Sequence, residues 1–109
     1  MNILRQGDIL LIPAKRPAKL GDKISRDNGR IVLAYGEVTG HAHAILDREA
    51  DLYAIPDTDD RFLEIMERSG VTLQHEEHAA IVLAPEPKFD GFIVRRQSEY
   101  GPEPRRVDD

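Results

Sequence analysis

RFLEIMERSGVTLQ, residues 61–74, admits two readings that lead to different folds. As a helix, it sets Phe62, Ile65, Met66 and Ser69 at helical spacing, with Thr58 as the cap and Gly70 as the stop, so that a short helix occupies residues 58–69. As strands, it alternates Phe62, Glu64 and Met66 with Leu63 and Ile65, and Ser69–Gly70 turns the chain back into Val71–Gln74 as a hairpin. The flanking segments favour the hairpin, because they read as strands on both sides.

Upstream, Asp8–Pro13 is a compact apolar run opened by Gly7 and closed by a proline, the pattern of a short buried strand. Residues 14–29 read as a loop with turn chemistry at Asp27–Asn28–Gly29. Arg30–Tyr35 is a second strand, Gly36 a bend, and Val38–Thr39 are strand formers before Gly40. Ala42–Leu46 and Asp51–Ile55 follow as strands, the latter stopped by Pro56 and an acidic turn. Downstream, Ala79–Ala84 and Phe92–Gln97 are strands joined through Pro85–Gly91. The expectation is one mainly antiparallel all-β domain over residues 1–97, a barrel or sandwich of about six to eight short strands. Residues 98–109, SEYGPEPRRVDD, form a Pro- and charge-rich tail or arm with little to bury. Short edges and a small core favour a homo-oligomer.

Composition narrows the chemistry. A chain of 109 residues with 40% hydrophobic residues supports one modest core. With no cysteine, disulfides, thiolate metal sites and cysteine nucleophiles are excluded, so a bound metal would sit among His, Asp and Glu. The apolar run Ile9–Ile12 is too short for a signal or a membrane span, and a soluble cytoplasmic protein is expected. A net charge of −5 argues against nucleic acid as partner. The residues for that reading would be Arg95, Arg96, Arg105 and Arg106, but acids lie close to each basic cluster.

All four histidines fall in two tight pairs, His41 and His43 in GHAH and His75 and His78 in HEEH. Side chains two apart on a strand share a face, which puts His41 and His43 on one side with Ile45, about 7 Å apart at Cα. His75 and His78 are three apart and would face opposite ways on a regular strand, so their joint use requires a turn at Glu76 and Glu77. If the pairs meet, they make a nitrogen and oxygen site for a divalent metal or for proton transfer. The metal ligands would be His41, His43, His75 and His78, and Glu76 or Glu77 would add a ligand or a proton acceptor. Imidazole with carboxylate suits Zn, Ni, Mn or Fe(II) without separating them. The competing reading is that these are ordinary loop polar groups. HEEH is not the HExxH of metalloproteases, and there is no GxGxxG and no P-loop.

RQGDILLIP, GRIVLAYGEVTGHAHAI, VTLQHEEHAAIVL, IVRRQSEY and the closing RRVDD together resemble a set of small uncharacterised proteins from phages and bacteria. GEVTGHxH, HxEH and QxEY segments occur there in the same order, and the likeness spans nearly the whole chain. The departure is Pro85–Gly91, longer than the compact Pro-Gly turn such proteins tend to show before the last strand. The resemblance implies the hairpin over the helix at residues 61–74 and brings no activity. A weaker similarity is to cupins, whose first metal motif is approximated by Gly36, His41, His43 and Glu49, with no second motif after it. The opening strands also look like those of the small co-chaperonin barrel, by strand pattern alone. Two functions follow as expectations: a metal-binding β protein whose reaction the sequence does not name, or a non-catalytic phage or host assembly module in which the histidines only shape loops.

Overall fold

The computed structural model describes residues 2–36 and 38–97. Among these residues nine strands run in chain order: β1 (Leu4–Gln6), β2 (Ile9–Ala14), β3 (Ile31–Tyr35), β4 (Ala42–Ile45), β5 (Ala50–Ala54), β6 (Arg61–Ile65), β7 (Val71–Gln74), β8 (Ile81–Leu83) and β9 (Gly91–Arg96). They form a five-stranded sheet in the order β1-β2-β9-β6-β5 and a four-stranded sheet in the order β3-β4-β7-β8. Every pairing is antiparallel. The expected all-β architecture is therefore found, as a sandwich, and no helix occurs among the described residues. The residues proposed as a terminal arm, 98–109, lie outside those described.

The core is the space between the sheets. Ile9, Leu11, Leu52, Leu63, Phe92 and Val94 of the five-stranded sheet pack in one cluster with Ile31, Leu33, Ile45, Val71, Leu73 and Leu83 of the four-stranded sheet. Where one strand supplies two of these residues they stand two apart, as Ile31 and Leu33, Val71 and Leu73, or Phe92 and Val94 do, which is how a sheet presents one face to a core. β2 shows the pattern plainly, with Ile9, Leu11 and Pro13 buried and their neighbours half-buried.

Residues 61–74 correct one expectation. Both halves are strands, so the helix over 58–69 is absent, but they do not form a hairpin with each other. β6 pairs with β5 and β9, whereas β7 pairs with β4 and β8. The link between them crosses from one sheet to the other. Its turn is held by Gly70 N–H donating to Glu67 O at 2.8 Å, and Gly70 takes a φ of +100°. The physical reason is burial on both faces of β6. Phe62 is buried on one face and Leu63 and Ile65 on the other, and β6 accordingly lies inside the larger sheet, covered on both sides and paired along both edges.

Val38 and Thr39, expected as strand formers, lie instead in the β3–β4 turn. His41 N–H donates to Val38 O at 3.0 Å, Gly36 N–H to His41 O at 2.8 Å, and Gly40 adopts a φ of +88°. The loop before β3 is irregular, as expected, but it seals an edge. Gly21 N–H donates to Ala54 O and Ile24 N–H to Leu52 O, covering β5, where an open strand would invite another chain.

Candidate functional site

Strand alternation aims His43 inward beside Ile45, where it is 4% exposed. His41 sits just before β4, at the end of the β3–β4 turn. The HEEH segment bends at Glu76 and Glu77 in the β7–β8 connection, and this brings the second pair back toward the first. His75 and His78 have ring centroids 4.7 Å apart. His75 lies 4.3 Å from His43 and 5.9 Å from His41, and His43 lies 5.8 Å from His78. All four histidines are thus gathered at one end of the sandwich. They line an open cavity of about 290 Å³ together with Asp8 and Arg96.

The ring of His43 is held from the opposite sheet. Gln6, on β1, is 3% exposed; it and His43 are the buried polar side chains among the described residues. Gln6 Nε2 donates to Leu73 O at 3.1 Å and to Ala79 O at 3.0 Å. Two carbonyl partners can only face the amide nitrogen, so Gln6 Oε1 is the acceptor turned to His43 Nδ1, 2.8 Å away. His43 therefore carries its proton on Nδ1 and presents the Nε2 lone pair to the cavity. Such an outer partner, fixing ring and tautomer, accompanies metal-binding histidines as a rule.

Nε2 of His43 faces a carboxylate. Asp8 Oδ1 stands 3.8 Å from it, while Asp8 Oδ2 accepts from Arg96 Nε at 2.8 Å. Burial, and then electrostatic repulsion between a protonated His43 and the neighbouring His75 ring, push the His43 pKa below its ordinary value, with Asp8 pulling the other way. Burial alone would raise the Asp8 pKa, but the hydrogen bond and charge of Arg96 hold it below the usual carboxylate value.

The other rings have different neighbours. His41 Nδ1 is 3.5 Å from Glu77 Oε2, which leaves its Nε2 free. His75 Nδ1 accepts from Glu77 N–H at 3.0 Å, so its proton sits on Nε2. The two acids of HEEH part company here. Glu77 faces the histidines, whereas Glu76 Oε1 accepts from Ala42 N–H at 2.9 Å, the bond chiefly responsible for its lowered pKa. Among the described residues, no group of three or more His, Asp or Glu side chains stands arranged to hold a metal ion.

Gly7 keeps the site open. It occupies the first position of the two-residue β1–β2 turn with a φ of +59°, as a type II′ hairpin needs. A Cβ there would lie 2.9 Å from His78 Nε2 and 3.1 Å from His43 Cε1. The sequence reading places Gly7 and Asp8 only at the opening of a strand and gives Gln6 no role, because Leu4–Gln6 is not read there as a strand, so none of the three is anticipated at the site. The available signal was the phase of Leu4 and Gln6, whose period of two matches the pattern of Ile9 and Leu11 across the turn.

Of the arginines read as a nucleic-acid surface, the two described ones are engaged. Arg95 pairs with Asp60 at 2.7 Å and Arg96 with Asp8 at 2.8 Å, while Arg105 and Arg106 lie outside the described residues.

No curated protein and no solved structure matches this chain. The sequence model of one family does, over residues 5–86, a stretch that takes in Gln6, Gly7, Asp8 and all four histidines. This agrees with the resemblance to uncharacterised proteins and brings no activity with it. The chain belongs to the family described as a domain of unknown function, DUF8820.

Proposed function

We propose that this protein binds a divalent metal ion through the histidine cluster, with ligands drawn from His41, His43, His75 and His78. The observation that carries the reading is the convergence of every histidine in the chain, from two separate segments, to ring separations of 4.3–5.9 Å. Two imidazoles bound to one tetrahedral ion at about 2.0–2.1 Å have ring centroids roughly 5 Å apart. The observed spacings bracket that value, so the rings already stand at the separation that ligation of one ion requires. Gln6 fixes the His43 tautomer that exposes Nε2, and Glu77 stands by His41 Nδ1 as a carboxylate partner. An all-nitrogen and oxygen donor set suits Zn, Ni, Mn or Fe(II).

Calorimetric titration of untagged protein with each ion tests this. One ion per chain is expected. His78 is exposed, so His78→Ala leaves the core intact and is expected to weaken binding at least about tenfold. Unchanged affinity in both His78→Ala and His75→Ala would remove the cluster as the binding site. The assembly-module reading then takes its place, with the histidines as loop-shaping groups.

A further inference from the structure

We infer that Asp8 is a carboxylate ligand of the same metal, so that the ion bridges the two sheets of the sandwich. This rests on the metal-binding reading above and adds to it a ligand outside both histidine motifs. The inference comes from how Asp8 and His43 face each other. His43 Nδ1–H is committed to Gln6 Oε1, and the Gln6 amide is itself fixed by two backbone carbonyls. His43 Nε2 is then an acceptor, and the atom it faces, Asp8 Oδ1, is an acceptor as well.

At 3.8 Å the two are too far apart for a hydrogen bond. They are well placed to share a cation, because two donors each about 2.1 Å from one ion lie roughly 3–4 Å apart. The second oxygen of Asp8 is tied to Arg96 Nε at 2.8 Å, which holds Oδ1 toward His43 and leaves it free. Gly7, adjacent to Asp8, clears the space where a Cβ would touch both His43 and His78. The imidazoles all come from the four-stranded sheet, through β4 and the β7–β8 connection. Asp8 and Arg96 come from the five-stranded sheet. An ion held by Asp8 with His43 therefore clips one sheet to the other.

The test uses Co(II), whose visible absorption reports its ligands, added to untagged wild type, Asp8→Asn and Asp60→Asn. Asp60→Asn is the control, since it also removes an Asp–Arg pair from the five-stranded sheet, and it is expected to match wild type. Asp8→Asn is expected to bind Co(II) about 10–100-fold more weakly and with an altered spectrum. X-ray absorption on Zn-loaded wild type, which involves no variant, should show a carboxylate oxygen beside imidazole nitrogens. Wild-type affinity and spectrum in Asp8→Asn, or an all-imidazole shell in wild type, would overturn the role of Asp8 and leave the histidine site standing. Failure of the wild type to bind any of these ions would overturn both.

Discussion

At the scale of single residues, Gln6 has the heaviest duty. One buried amide satisfies two carbonyls of the opposite sheet and sets the tautomer of His43. Gln6→Leu leaves Leu73 O and His43 Nδ1 buried without their partner, while Ala79 O can turn to water, and each unsatisfied buried group costs about 1–3 kcal/mol. We expect a loss of roughly 3 kcal/mol or more by chemical denaturation, together with weakened metal binding. Gly7→Ala acts differently. Its positive φ costs an alanine about 1–2 kcal/mol, and the added methyl meets His78 Nε2 at 2.9 Å. The melt should fall by about 5–10 °C and metal titration should lose its signal. An alanine variant that binds as wild type does would show that the space beside Gly7 is not where the rings converge on the ion.

At the scale of elements, the histidine strand was largely legible. Period two placed His43 with Ile45, and the three-residue spacing of His75 and His78 demanded the turn that is found. The missed parts have physical causes. β1 is only three residues long, and its inward polar residue, Gln6, hides the apolar alternation on which strand recognition depends. The partner of β6 depends on burial on both faces, which a linear pattern carries only as a run of apolar residues that a helix shares. Joining of the sheets' strands shows at Gly91, where a Cβ would lie 1.9 Å from Leu63 O across the β6–β9 ladder. Gly91→Ala is expected to cost more than about 4 kcal/mol, read as loss of a cooperative thermal transition by circular dichroism.

The pH response also belongs to β4. Above pH 6.5, the ordinary histidine value, His43 is neutral in both the folded and unfolded chain and imposes no penalty. As pH falls below 6.5, the unfolded chain takes up a proton that the buried ring resists, so stability declines. A second decline starts near the ordinary aspartate value of 3.8, because Asp8 and Asp60 have lowered folded-state pKa values and lose their Arg96 and Arg95 partners on protonation. Denaturant melts at a series of pH values should show both stages, and His43→Leu should abolish the contribution of His43 to the upper one.

At the scale of the whole molecule, the sandwich brings two histidine segments of one sheet against a carboxylate of the other. No described helix is long and apolar enough to cross a membrane. A metal that bridges the sheets binds the folded chain and not the unfolded one, so it stabilises by mass action. At a free-ion concentration a hundredfold above Kd this amounts to about 2.7 kcal/mol, or a rise in Tm of roughly 10–20 °C for a domain of this size. A chelator should reverse the rise. The most direct measurement is the metal content of untagged protein, both as purified and after addition of Zn, Ni, Mn or Fe(II) followed by removal of free ion. The metal-centre account predicts one divalent ion per folded chain. Full stability with no bound metal under every one of these conditions would contradict it.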